Sequence, residues 1–180
     1  FNTDDVQAVT TWNPMLAEAR AKPGTTEVFN TSQIPGEIMD MMVVNSAVLK
    51  DNPALGKALT GAWFETVALM QGDSSETRAA LEHMAKASGT DLAGYRSQLA
   101  TTRLFATPQE ALAFATSPKL PATMDKVAAF SFAHGLLGEG AKSADAVGMS
   151  FAGGLSTGDA KNLKLRFDPT YVQMAAEGKL

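Results

Sequence analysis

The order of apolar and polar residues in the first quarter of the chain predicts short strands followed by helices. Apolar and polar side chains largely alternate over residues 6–12, and a second apolar run covers 40–44. Alternation with a period of two is typical of a half-buried β-strand. A short strand is also predicted at 27–29, and a helix is predicted from Pro14 to about Arg20.

Helical signals dominate the rest of the chain. Thr107, Pro108 and Glu110 have the spacing of a capping box, in which a polar side chain satisfies the first turn and proline occupies its first position. One helix is predicted to begin near Asn45. The other predicted helices cover 53–71, Asp73 through Ala87, Thr90 or Asp91 to about Leu99, 108–115, 121–137 and a last segment after Asp168-Pro169. Residues 138–162 are predicted as a loop with one short strand, and 163–167 as an edge strand.

Together these elements predict an α/β fold class with a helix-rich C-terminal portion. The chain has 180 residues, of which 45% are apolar, enough for a domain with a sizeable core. Its formal net charge is −4, and the sequence has no basic stripe that could neutralise the phosphates of a nucleic acid. No nucleic-acid partner is therefore expected. No apolar run approaches the length that crosses a bilayer.

The helix predicted at 53–71 carries an apolar stripe at helical spacing, which we expect to be core: Leu55, Leu59, Trp63, Val67 and Met70. Gly56 and Gly61 interrupt this helix. Each costs a helix up to about 1 kcal/mol relative to alanine, which suggests close packing or close approach of a ligand.

Polar and aromatic residues at strand ends are the first candidates for a binding site. Trp12 and Asn13 end the first predicted strand, where Trp offers a flat face for stacking and Asn offers both a donor and an acceptor. In open α/β sheets, ligands bind at the carboxyl ends of strands. The alternative is that Trp12 belongs to the core and Asn13 caps the helix beginning at Pro14.

Three further candidates follow from polarity. Ser32, Gln33 and Glu37 flank a Pro-Gly turn and could bind a small polar solute, although polar residues fill many turns. Glu65 lies off the apolar stripe beside small residues and could face a cleft, or could be solvated helix surface. No His, Cys or carboxylate cluster has metal-ligand spacing, and no nucleophile motif occurs, so no metal, cofactor or catalytic residue is expected.

The overall pattern resembles periplasmic solute-binding proteins of ABC transporters, of the taurine, sulfonate and thiamine-precursor type. It is most specifically similar to the C-terminal half of binding proteins encoded beside urea carboxylase. The segments that carry the resemblance are Thr11 to Leu16, Thr31 to Asn45, Gly61 to Glu65, Phe132 to Asp145, Leu165 to Asp168 and Tyr171 to Leu180.

The resemblance implies a two-lobe type II fold that closes around its solute. Residues 1–38 would end the second lobe, 39–45 would be the hinge crossover, and 46–180 would be the C-terminal part of the first lobe. The family's N-terminal half would be missing, and Phe1 is not an initiator Met, so we expect a processed or partial chain. We also expect these residues not to form a stable monomer alone, because their strands would lack sheet partners.

The function implied by the resemblance is a non-enzymatic periplasmic receptor that delivers a small polar solute to a membrane permease, its only link to the membrane. The alternative is an enzyme on a similar fold, such as a thiamine-pyrimidine-precursor synthase. A blander possibility is a helical interaction module. The candidate site residues include no Arg or Lys, so a cationic or neutral planar solute, urea-like or guanidine-like, fits better than a taurine-like anion.

Overall fold

The computed structural model describes Thr3 and residues 5–180, and it shows a helix-rich α/β chain with a small three-stranded sheet. The predicted mixed α/β class is therefore confirmed. Phe1, Asn2 and Asp4, which fall in the segment 1–38 assigned by the resemblance to the second lobe, lie outside the described residues. Among the described residues the α-helices are α1 Met15–Ala21, α2 Ser46–Asp51, α3 Pro53–Leu69, α4 Ser75–Ala87, α5 Leu92–Leu99, α6 Pro108–Ala115, α7 Leu120–Ala133 and α8 Thr170–Ala176.

Local capping sets most of the helix boundaries. The Asn45 side chain accepts a hydrogen bond from the Ala47 N–H at the start of α2, and the Thr107 hydroxyl accepts one from the Glu110 N–H at the start of α6. Helix α4 is capped by Ser74 and not by Asp73, because the Ser74 hydroxyl accepts from the Thr77 N–H. Most predicted helices are thus confirmed to within a few residues.

Helix α7 ends four residues earlier than predicted. Gly135 has a φ of 71°, and the N–H of Leu136 donates to the carbonyl of Ser131 at 2.8 Å. This is a Schellman ending, in which a left-handed glycine closes the last turn and prevents the helix from continuing. The apolar residues after Gly135 had suggested a longer helix, and that extension was wrong.

The sheet lies in the region predicted as a loop and an edge strand. Strand β1 Gly148–Ser150 is central, with β2 Ser156–Thr157 antiparallel on one side and β3 Leu163–Arg166 parallel on the other. The prediction of an edge strand near 163–167 is confirmed, and two short strands occur where one was expected.

The strands predicted at 6–12, 27–29 and 40–44 are wrong. These residues have no regular secondary structure, and no backbone hydrogen bond joins 7–11, 26–29 or 38–44 to another described residue. A strand is defined by pairing, and apolar composition alone does not supply a partner. Several side chains there are consequently exposed, including Val28 at 91% and Val43 at 77%.

The chain divides into two compact units. The first contains Phe1–Gln33 and Leu69–Leu104, and the second contains Ile34–Ala68 and Phe105–Leu180. This division groups 69–104 with the N-terminal residues, whereas the predicted lobes place them with 46–180. The lobe assignment and the expected instability of the isolated chain stay predictions.

In the first unit, α4 packs against α5 and buries one face. Leu81 and Ala85 of α4 are buried, and so is Thr77, whose hydroxyl donates to the carbonyl of Gln71 at 3.1 Å. The Arg96 guanidinium of α5 lies 3.5 Å from the Asp73 carboxylate. The one buried polar side chain of α4, Thr77, thus has a hydrogen-bond partner, as buried polar groups in folded proteins usually do.

In the second unit, the core lies between α7 and the sheet. Leu120 and Met124 of α7 pack against Met149 of β1 and Phe151, which follows it. The ring of Phe151 stacks on that of Phe167, with centroids 5.0 Å apart. This is the most densely buried part of the unit, and it gives the sheet a fixed support.

The apolar stripe of α3 is only partly core. Val67 is buried, and Leu55, Leu59 and Met70 are half-buried, but the Trp63 side chain is 46% exposed. The expectation that Trp63 is core is therefore wrong, because no described segment covers its indole fully. Gly56 has the close packing that its sequence suggested, since a Cβ there would overlap the Tyr171 ring of α8.

Replacing Gly56 by alanine should lower the free energy of unfolding by about 1–3 kcal/mol, because the added methyl would displace Tyr171. The matched control is Gly61→Ala in the same helix, where the nearest atom to the new methyl is Leu180 Cδ1 at 3.8 Å. That control should raise the free energy of unfolding by about 0.5–1 kcal/mol through helix propensity. Chemical denaturation measures both, and similar effects of the two substitutions would contradict the packing described.

Candidate functional site

Trp12 and Asn13 lie in the first unit, directly before α1. The Trp12 side chain is 73% exposed and so is not core, while its carbonyl accepts from the Leu16 N–H at 2.9 Å. The Asn13 side chain makes no cap to α1, and its amide nitrogen donates to the Thr101 hydroxyl at 3.2 Å. The indole face is accessible, beside an amide whose oxygen has no partner among the described residues.

Ser32 and Gln33 lie in a 3₁₀ turn, Thr31–Gln33, of the same unit. The backbone N–H and the hydroxyl of Ser32 both donate to the Asn30 side-chain oxygen. Asn30 in turn donates to Glu27, which pairs with Arg20 at 3.3 Å. Ser32 is exposed, but its hydroxyl already takes part in a local network, so a solute would compete with Asn30 for it.

Glu37 and Glu65 lie in the second unit. Glu37 is half-buried after the Pro35-Gly36 turn, and its N–H donates to the Ile34 carbonyl at 3.2 Å. Glu65 is exposed on α3. Neither carboxylate forms an ion pair or a side-chain hydrogen bond with a described residue, so both are available to a ligand.

The structure thus places four of the six predicted site residues in one unit and two in the other. Within the first unit, Trp12 lies next to Asn13 and Ser32 next to Gln33 because they are consecutive in the sequence. No hydrogen bond joins these two pairs to each other, or Glu37 to Glu65, within the described part of the chain. Each residue remains a candidate.

A surface hollow in the second unit was not predicted from the sequence. It has a volume of about 500 Å³ and lies between α7, the 3₁₀ turn Ala144–Ala146 and strand β2. The residues that line it are Asp125, Ala128, Ala129, Ala144, Asp145, Val147, Met149, Ser156, Thr157 and Gly158.

Two glycines allow the walls of this hollow to approach closely. A Cβ at Gly148 would overlap the Asp159 carbonyl, and a Cβ at Gly158 would overlap the Val147 carbonyl. Gly158 also has a φ of 69°, a conformation that other residues rarely adopt. The sequence predicted a loop with one short strand over 138–162, but the residues that line the hollow come from separate segments that share no motif.

The side-chain oxygen of Thr157, in the wall of the hollow, is buried and has no hydrogen-bond partner among the described residues. A buried hydroxyl without a partner costs about 1–3 kcal/mol by mutational measures. Thr77 offers the opposite case, since its buried hydroxyl is hydrogen-bonded to Gln71 and Ser74.

Carboxylates with altered acidity lie outside these candidate residues. Glu177 directly follows α8, and its pKa is lowered mainly by a hydrogen bond from Lys179 and to a smaller extent by one from Gln173. The pKa of Glu76 is lowered first by its own backbone N–H and then by the Ser74 and Ser75 hydroxyls. Both effects arise at helix ends and are structural in character.

No family model, curated protein or solved structure matches this chain. In the described part of the chain, no group of three or more His, Cys, Asp or Glu side chains is placed to hold a metal ion. Among the same residues, no helix is long and apolar enough to span a bilayer.

Replacing Thr157 by valine should raise the free energy of unfolding by about 1 kcal/mol, because an isosteric methyl removes an unpartnered buried oxygen. Thr77→Val is the matched control and should lower it by about 1 kcal/mol, because it removes the hydrogen bonds that the Thr77 hydroxyl makes with Gln71 and Ser74. Thermal and chemical unfolding of the two variants test this pair. A loss of stability in Thr157→Val would mean that its hydroxyl has a partner.

Proposed function

We propose that this chain is part of a periplasmic solute receptor of an ABC transporter. It binds a small polar solute and delivers it to a membrane permease, with no catalytic step. The proposal includes the two-lobe type II fold, with 39–45 as the crossover between lobes. It builds on the resemblance to receptors encoded beside urea carboxylase.

The observation that carries the proposal is the exposure of Trp12. The Trp12 side chain is 73% exposed, so the face of its indole is open to a planar ligand. Asn13 follows directly and has a free amide oxygen. A planar solute could stack on the indole while the amide oxygen accepts one of its N–H groups.

The charges of the candidate residues favour a particular solute class. Glu37 and Glu65 supply two carboxylates without described partners, and the six candidates include no Lys or Arg. Carboxylates bind N–H donors strongly, and a guanidinium or urea group presents several in one plane. A sulfonate would face negative charge without compensation. The proposed solute is therefore guanidine-like or urea-like.

The segments 7–11 and 38–44, which have no backbone hydrogen bond to another described residue, support a receptor of this kind. Exposed apolar residues without backbone partners are expected of strands whose neighbouring strands are absent. By the resemblance, these segments would be strands of the receptor's sheets. The proposal thus accounts for both the apolar composition of these segments and their lack of pairing.

Calorimetric titration with guanidinium, urea and taurine tests the receptor. Trp12→Ala should weaken guanidinium binding by more than about 1 kcal/mol, the scale of a desolvated cation–π contact. Glu37→Gln or Glu65→Gln should weaken it by about 1.5–3 kcal/mol, and urea binding by less, because only the cation gains a charged hydrogen bond. Trp12→Ala should leave the unliganded melting temperature nearly unchanged, since the side chain is exposed.

Matched controls are Trp63→Ala, a second partly exposed tryptophan outside the predicted site, and Glu18→Gln, an exposed carboxylate on α1. Neither should alter affinity. Equal affinities in wild type and all three site variants would remove these residues from the site. Absence of binding to every probe would contradict the receptor function for this chain.

A further inference from the structure

We infer that Thr101 is a positioning residue of the proposed receptor site, where it holds the Asn13 amide with its oxygen free for an N–H donor. The inference rests on the proposed function, in which that oxygen accepts a hydrogen bond from a planar solute. It adds a specificity: the site selects solutes that carry N–H groups over solutes of similar shape that only accept. Thr101 lies 88 residues after Asn13 in the sequence, and both belong to the first unit.

The hydroxyl of Thr101 already uses its only hydrogen. It donates to the carbonyl of Gln98, in the last turn of α5, at 2.7 Å. A hydroxyl has one donor and two lone pairs, so the Thr101 oxygen can only accept from a further partner. The Asn13 side chain is that partner, and its Nδ2 lies 3.2 Å from Thr101 Oγ1.

These donor and acceptor roles fix which end of the Asn13 amide is free. If the amide were turned over, its oxygen would face the lone pairs of the Thr101 hydroxyl, or would take the hydrogen that now bonds to Gln98. Either arrangement loses one hydrogen bond relative to the observed one. The amide oxygen, which has no partner among the described residues, therefore stays available as an acceptor.

Helix α5 gives Thr101 a fixed support. This helix packs against α4, whose Leu81 and Ala85 are buried. The N–H of Thr101 also donates to the Gln98 carbonyl, at 3.1 Å, so both its backbone and its side chain are bonded to the end of α5. A residue can position a binding group only when its own geometry is held in this way.

Side-chain amide NMR of the full chain without ligand tests the hydrogen bond itself. The Asn13 NH₂ protons should exchange with water more slowly than those of Asn52, an exposed residue whose amide makes no hydrogen bond in the described part of the chain. Thr101→Val should abolish the difference, and Thr101→Ser, which keeps the hydroxyl, should retain it. The matched control is Thr102→Val, because the Thr102 hydroxyl lies 3.4 Å from the same Gln98 carbonyl but does not bind Asn13. Equal exchange of the Asn13 and Asn52 amides in wild type would overturn the inference.

Titration with urea and tetramethylurea tests what the orientation does. Both are carbonyl compounds of similar shape, but only urea carries N–H donors. In Thr101→Val the Asn13 amide can turn over, so the ratio of urea affinity to tetramethylurea affinity should fall about fivefold. That change corresponds to about 1 kcal/mol, the value of one ordinary hydrogen bond. Thr101→Ser and Thr102→Val should keep the wild-type ratio.

The outcomes separate this inference from the proposed function. Urea binding with an unchanged affinity ratio in Thr101→Val would overturn the inference and leave the receptor function standing. Wild type that binds guanidinium but not urea would do the same. Wild type that binds neither would contradict the proposed function, and the inference with it. Thr101 is exposed, so none of these substitutions at this position should prevent folding.

Discussion

The need of backbone N–H and C=O groups for partners governs which parts of this chain adopt regular structure. A helix satisfies that need within its own segment, so α1 to α8 form wherever capping and composition favour them. A strand needs a second strand, and among the described residues such pairing occurs around β1, where β2 and β3 lie close in sequence. The apolar segments near the N-terminus find no such partner among the described residues.

This difference explains how far the sequence could predict the fold. Asn45, Thr107 and Asp91 each cap a helix through hydrogen bonds within four residues, so the signal and the structure are equally local. The alternation at 6–12 is also a local signal, but its meaning depends on distant residues that must pair with it. Strand propensity describes fitness for a pleated surface and does not create that surface.

The same reasoning applies to the candidate sites. Trp12 and Glu37 could be proposed from the sequence because the stacking face of a tryptophan and the charge of a glutamate depend on residue type, and the nearby turns can be recognised from Pro and Gly. Whether Trp63 is core could not be predicted, because its burial depends on what covers α3, and the indole is partly exposed. The hollow lay beyond prediction as well, since the residues that line it come from separate segments that pack together only when α7 lies against the turn at Ala144–Ala146.

Amide hydrogen exchange tests the central claim most directly, because it reports backbone pairing residue by residue. The account predicts that the amides of 7–11 and 38–44 exchange at nearly the rates of an unstructured peptide. Amides in the middle of α4 and α7, and in β1, should be protected in the same sample. Strong protection across 38–44 in the monomeric chain would show that this segment already has a strand partner, and it would contradict the account.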